Sequence, residues 1–255
     1  MISVTVLTKN AEETLASCLK ALRKFNEVIV IDTGSTDLTL DIARTFPNVR
    51  LFELPFRGFG TLHNIAAEKT SHDWVLSIDS DEILTEALAR EILALKPTKG
   101  TVYSLPFLHY FNGKRIRGSG RSPESHVRLY NKNETRFTDD SIDEEVLVRG
   151  AKKRLLRHPL KHYSYRSISD FLHKMQLYST LFAKQNKGKT RVSFSGVIRK
   201  SLFAFFKSYV LQRGFLDGKE GVILSAYDSH IAFYKHLKLI EANRNALHSP
   251  LPSER

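Results

Sequence analysis

The apolar positions of this chain change period repeatedly over its first hundred residues. Residues 2–7 (ISVTVL) form a short β-branched run, and Thr8 to Ala11 leads into Glu12–Phe25, where Leu15, Leu19 and Leu22 recur at helical spacing. Residues 27–31 (EVIVI) are nearly continuous apolar, the pattern of a strand covered on both faces. The polar turn from Asp32 to Asp37 follows, with Ser35 or Thr36 placed to cap a helix ending near Thr45, before Pro47. Val49–Leu54 predicts a third strand, and Thr61–Lys69 a helix after the glycine-bearing loop Arg57-Gly-Phe-Gly60. Trp74–Ile78 predicts a fourth strand; Asp79-Ser80-Asp81-Glu82 then opens an amphipathic helix over 83–95.

Strand–helix alternation at this spacing predicts an α/β fold with a parallel, doubly wound sheet. Right-handed crossovers put the carboxyl ends of such strands on one edge, where ligands bind. Three polar clusters fall at those ends: Thr8-Lys9-Asn10, Asp32 and Asp79–Glu82. Beyond residue 101, Tyr103–Phe111, Lys114–Arg117, His126–Tyr130 and Ile142–Val148 are expected as strands. From Ser167 the pattern turns helical, over 168–185, 194–213 and 220–243, and His248–Arg255, with two prolines, is expected to fray. The domain organisation expected is an α/β domain over 1–165, whose pattern changes near residue 101, and a helical appendage over 166–255.

Charge sharpens that division. The chain has 39 Lys and Arg against 27 Asp and Glu, a net charge of +12. Residues 1–150 hold 19 basic and 21 acidic side chains, residues 151–215 hold 15 and one (Asp170), and residues 216–255 hold five of each. The excess is therefore a basic block within the helical region, which suits a docking surface better than a general polyanion binder. With 42% hydrophobic and 10% aromatic residues the chain can bury a core, which excludes wholesale disorder. A single cysteine, Cys18, excludes an intramolecular disulfide and a four-thiolate metal site. The opening MISVTVLTKN lacks the basic leader and apolar core of a secretory signal, and no apolar run approaches a membrane span. A cytoplasmic protein is expected.

Asp79 and Asp81, two carboxylates at i and i+2 after a strand, can both reach a divalent ion or a ribose, and hard oxygen ligands suit Mg²⁺ or Mn²⁺. A polar turn of helix-capping acids has the same spelling. Asp32 can accept from a base N–H or ribose hydroxyls; its competitor as a helix N-terminal acid is Asp37, which suits that role better.

Four stretches together resemble inverting family 2 glycosyltransferases of GT-A (Rossmann-like) fold: SVTVLTKNAEETLASCL, VIVIDTGSTDLTLDIA, GFGTLHNIAAEKT and DWVLSIDSDE. Later stretches, HVRLYNK, IDEEV, HYSYRSISDFLHKMQLYS and FFKSYVLQRGFLDGKEGVILSAYDSHIAFYKHLKL, are similar to bacterial lipopolysaccharide inner-core β-glucosyltransferases. The resemblance implies a catalytic domain over 1–165, with 1–100 the nucleotide-binding half and 101–165 the acceptor half. It implies that Thr8, Asn10 and Asp32 border the uracil and ribose of a UDP-sugar and that Asp79 holds the ribose side. It implies that Asp81 ligates the metal bridging the diphosphate and that Asn64 lines the donor pocket. His162 matches a histidine that follows the last core strand of the relatives and completes the metal site or touches the diphosphate. The general base of an inverting displacement falls on Glu144, in the stretch where relatives carry a His-Glu pair. This chain has Asp143 in place of that His, and Glu145 stands as the substitute if the register shifts by one. A solvated acidic edge is the plain alternative, since Asp139, Asp140, Asp143, Glu144 and Glu145 crowd together. Arg117, Arg121 and Arg128 are candidates for anionic groups on the acceptor.

On a helical wheel, Phe194, Ile198, Leu202, Phe205 and Tyr209 share one sector of 194–213, with Lys200 and Lys207 nearly opposite. This stripe can pack on protein and leave Phe203, Phe206 or Val210 for lipid, or lie in a membrane interface itself. The expected partners are a UDP-sugar donor, a lipid-linked saccharide acceptor and the cytoplasmic face of the inner membrane. The expected activity is hexosyl transfer, of glucose, to a lipopolysaccharide inner-core acceptor. Transfer to a polyprenyl phosphate, which needs no carboxylate base, is the enzymatic alternative. A nucleic-acid-binding protein using the basic block is the alternative of another class; no RNA-binding motif accompanies the block, so no nucleic acid is expected.

Overall fold

Four parallel strands take up the apolar runs of the first half: β1 (Ile2–Thr8), β2 (Val28–Asp32), β3 (Val49–Glu53) and β4 (Trp74–Asp79), in the order β3-β2-β1-β4. The computed structural model describes residues 1–139, 144–165 and 168–247. Asp140, Asp143, the start of the strand predicted from Ile142, and the C-terminal 248–255 lie outside them. Strand β2 shows why its sequence is nearly continuous apolar. Val28 and Val30 join β1 and the helices α1 (Leu15–Ala21) and α4 (Glu86–Ala94) in one core, while Ile29 and Ile31 join Leu62 and Ala66 of α3 (Phe59–Glu68) in another. Each such side chain, fully buried, stabilises the fold by about 1.5–3 kcal/mol of transfer free energy.

Antiparallel strands extend the sheet past β4: β8 (Glu124–Asn131), β6 (Thr101–Phe111), β10 (Leu160–Tyr165) and β5 (Glu82–Leu84), with β9 (Lys152–Leu155) running parallel beside β6. The structure corrects four expectations. The helix predicted over 83–95 starts at Glu86, because Glu82–Leu84 zips onto Leu160–His162 and Thr85 caps the helix with its hydroxyl, 3.2 Å from the Leu88 N–H. The helix after Asp32 is only α2 (Thr39–Arg44): Ser35 and Thr36, expected as caps, are held by Asp32 and Asn10. Of the strand predicted to Val148, the described residues form only a bridge from Val146 to Phe137. His162 lies within strand β10, not after it.

The chain folds as two compact units, residues 1–110 with 123–164, and residues 111–122 with 165–255. The second unit contains β7 (Lys114–Arg115), α5 (Ile168–Asn186), α6 (Phe194–Phe206) with a π-helical continuation over Lys207–Leu211, a short 3₁₀ turn, and α7 (Lys219–Leu247). Buried Asp217 organises it by accepting from the backbone N–H groups of Arg117 (3.0 Å) and Gly118 (2.7 Å). Lys114 pairs with Glu220 at 3.1 Å, and Arg121, expected to face an acceptor, grips Asp228 with both terminal nitrogens. Helix α6 and its continuation bury Gly196, Val197 and Ser208, and Ser201 bonds Ser229 of α7; Phe194, Ile198, Leu202, Phe203 and Phe206 are exposed. The closest packing is thus on the small-residue side; of the aromatic stripe, Phe205 and Tyr209 are half-buried, while Phe194, Ile198 and Leu202 are exposed. Among the described residues no helix is long and apolar enough to cross a membrane.

Candidate active site

Register places the candidate residues before any side chain is considered. Thr8 pairs with Asp32 and Leu7 with Asp79, so the ends of β1, β2 and β4 lie side by side. The Thr8 carbonyl accepts from the Thr33 N–H at 3.1 Å, and the Leu7 carbonyl from the Ser80 N–H at 3.1 Å, which continues the ladder into both acidic turns.

Asp32 is buried and turned onto its own loop. One oxygen accepts from the Gly34 and Ser35 N–H groups at 2.8 and 2.9 Å, and the other from the Ser35 hydroxyl. Asn10, at φ +47°, locks the same loop: its side-chain carbonyl oxygen accepts from the Thr36 N–H at 2.8 Å, and its backbone N–H donates to Ser35 Oγ at 2.8 Å. Asp37 accepts from the N–H groups of Thr39 and Glu12. Burial alone would raise its carboxyl, but these bonds outweigh it and hold the group below its ordinary value. The Thr8 hydroxyl is buried beside this loop without a hydrogen-bond partner among the described residues.

Asp79 and Glu144 meet at His63. The imidazole Nε2 lies 3.8 Å from Asp79 Oδ1 and 3.8 Å from Glu144 Oε1, and the ring is fully buried. Its Nδ1 is 2.8 Å from the Ser77 hydroxyl on β4. Burial pushes this histidine down to about 4, with Asp79 pulling the other way and Arg128 adding to the depression, so the ring is neutral at physiological pH. Glu144 is reached through Phe137, which bridges to Val146 and stacks on His63 with centroids 4.4 Å apart. Asn64, expected in the donor pocket, commits its amide to this strand: it accepts from the Phe137 N–H at 2.9 Å and donates to its carbonyl at 3.1 Å. Glu145 is exposed, and among the described residues no ion pair joins it to His63.

Arg128 is the buried cation of the site rather than an acceptor-facing one. Its Nη2 donates to Glu82 Oε1 at 2.6 Å and to Asp79 Oδ2 at 3.2 Å, and its guanidinium lies over the Phe107 ring. Burial pushes the Glu82 carboxyl up against the pull of Arg128, while burial of Arg128 is outweighed by Glu82, Asp79 and Glu144, which keep it charged. Asp81 faces His162, with Oδ1 3.6 Å from Nε2, and its carbonyl accepts from the Tyr163 N–H at 2.9 Å. Beyond them Glu124 bridges His109 and His126 at 2.6 Å each; burial would raise its carboxyl, but these two partners hold it well below the carboxylate range.

The donor set at Asp81 and His162 fits a divalent ion: one carboxylate oxygen and one imidazole nitrogen on adjoining segments. Among the described residues no three His, Cys, Asp or Glu side chains form a complete metal cage. Such an ion would need oxygens from a bound ligand, as Mg²⁺ and Mn²⁺ take from phosphates. His63 and Glu82 carry no spacing signal of their own. Only the segment GFGTLHN and the acidic turn that contain them are visible in the chain.

The model of glycosyl transferase family 2 matches residues 3–203. An uncharacterised glycosyltransferase of Rickettsia typhi is 29% identical over 256 residues, covering 94% of this chain and 87% of the relative. The lipopolysaccharide core biosynthesis glycosyltransferase LpsC of Rhizobium meliloti is 26% identical over 263 residues, covering 96% of this chain and 93% of the relative. Among solved structures, S. aureus TarS 1–349 in complex with UDP-GlcNAc is 19% identical, with a TM-score of 0.49 over 95% of this chain and 89% of that one.

Proposed function

The chain belongs to glycosyl transferase family 2 and is a glycosyltransferase of GT-A fold, and we propose that it transfers glucose from UDP-glucose to a lipopolysaccharide inner-core acceptor with inversion. The observation that carries this reading is the convergence of Asp79, at the end of a parallel strand, and Glu144 on one buried neutral imidazole. A strand-end carboxylate suits the ribose side of the nucleotide. A second carboxylate within the same small space suits the proton acceptor. The relative named for lipopolysaccharide core biosynthesis supports the acceptor class.

Glu144 takes the proton of the acceptor hydroxyl as that oxygen attacks the anomeric carbon. The bond to the donor phosphate oxygen breaks, and its electron pair leaves with UDP. Asp81 and His162 would hold a divalent ion, Mg²⁺ or Mn²⁺. When bound, the ion supplies charge neutralisation for the departing diphosphate. Thr8, Asn10 and Asp32 form the uracil and ribose side, where Asn10 and Asp32 shape the loop by filling their own hydrogen bonds. Asn64 serves by holding the strand that leads to Glu144.

Glu144→Gln should lower kcat by about 10²–10⁴-fold with UDP-glucose, Mn²⁺ and extracted core acceptor, while UDP binding by calorimetry is unchanged. Full turnover by that variant overturns the assignment of the base. Asp81→Ala should abolish Mn²⁺-supported turnover; wild-type turnover by that variant overturns the metal role. The same reading puts the protein at the cytoplasmic face of the inner membrane, supported by the exposed apolar residues of α6 beside basic side chains.

A further inference from the structure

His63 has the one buried ring nitrogen in the catalytic unit that is aimed between two carboxylates yet meets no hydrogen-bond partner among the described residues. Carboxylate oxygens only accept, so Nε2 must carry the hydrogen to be compatible with both, and Nδ1 then accepts from the Ser77 hydroxyl. The two carboxylates thus select the tautomer, and the hydroxyl holds the ring from its far side. The depressed basicity of the ring keeps it a neutral donor, so that it does not form a charged pair that would neutralise either carboxylate.

The two successive residues of α3 act on one target. Asn64 holds the backbone of Phe137, and His63 stacks on the ring of the same residue. Pairing then carries the position forward: the Thr138 N–H meets the Glu145 carbonyl at 2.9 Å, and the Leu147 N–H meets the Arg136 carbonyl at 2.9 Å. Glu144 is the first described residue of the returning segment, and its carboxylate comes back to His63 Nε2. We infer that His63 is a positioning residue, whose Nε2–H orients the Glu144 carboxylate against Asp79 and so couples the proton acceptor to the nucleotide-holding strand. The contacts stand at 3.8 Å, longer than a hydrogen bond, and catalytic contacts of this kind tighten in a Michaelis complex. The inference rests on Glu144 being the base.

Variants at three positions test it with UDP-glucose, Mn²⁺ and extracted core acceptor. His63→Phe keeps the stacking volume and removes the donor. It should lower kcat by about 10–100-fold, the range for outer partners that orient a reacting group, with the KM for UDP-glucose within about twofold. His63→Gln, which returns an N–H near the position of Nε2, should recover most of that loss. Ser77→Ala, which adds no bulk and touches neither carboxylate, should lower kcat several-fold with UDP binding intact. In the pair His63→Phe with Glu144→Gln the losses should not multiply, because both remove one function. A Glu144→Gln enzyme with the expected loss, which multiplies with that of His63→Phe, overturns the role of His63 alone. So does a His63→Phe enzyme that changes only KM, or that His63→Gln does not rescue. A fully active Glu144→Gln enzyme removes the base assignment, and this inference with it.

Discussion

Glu27 is a carboxylate whose surroundings have nothing to do with catalysis. Buried just before β2, it accepts from the Ser3 hydroxyl at 2.5 Å, the Ser71 N–H and hydroxyl at 2.8 Å each, and Arg50 at 2.9 Å. Burial alone would raise this group, but the four bonds outweigh it and hold it at about 2. A carboxyl depressed in the fold contributes stability above its unfolded value, near 4.5, and loses it as pH falls towards 2. The urea midpoint of the protein should therefore exceed that of Glu27→Gln most above pH ~5, with the gap closing below pH ~3. A gap independent of pH would refute this. The acids at strand ends, Asp32, Asp79 and Asp81, are legible in the sequence because a turn after an apolar run marks them. His63 is not, because its partners Phe137 and Glu144 are distant in the chain and nothing in the helical spelling of α3 points to them. Arg128 has the spelling of an exposed cation; only the fold reveals that Glu82 and Asp79 surround it.

Elements repeat this contrast between local and distant causes. The two-faced run of β2 and the periodic leucines of α1 are readable, since burial on each face writes itself into the sequence. Strand β9 is invisible: all four of its residues are exposed, so it joins β6 through its backbone alone and leaves no apolar alternation. The packing face of α6 is hidden for a related reason. Large apolar residues dominate the wheel, whereas close packing on α7 favours Val197, Ser201 and Ser208. The same closeness makes glycine obligatory at the head of α7, where a Cβ on Gly221 would lie 1.8 Å from the carbonyl oxygen of Gly214. Gly221→Ala should destabilise the helical unit by about 1–3 kcal/mol, the usual cost of overpacking. Thermal unfolding followed by circular dichroism should show a lowered midpoint; an unchanged one would mean that the turn moves aside at no cost.

At the scale of the whole molecule, charge and apolar exposure coincide in sequence. Leu202 is 67% and Phe203 57% exposed, within the 151–215 segment of 15 basic residues and one acidic residue. Co-sedimentation with vesicles rich in anionic phospholipid should fall as salt rises and fall again in Phe203→Asp; binding indifferent to lipid charge would remove the electrostatic part of this reading. The second unit also has a history in time. Residues 111–122 leave the ribosome long before Asp217, Glu220 and Asp228, which receive the Arg117 and Gly118 N–H groups, Lys114 and Arg121. During synthesis these groups must wait for those partners, although Lys114–Arg115 can already pair with β6, until α7 emerges. Arrested chains ending before residue 217 should be cut within 111–122, and released full-length chains should resist, so the order of translation itself decides when this protein becomes whole.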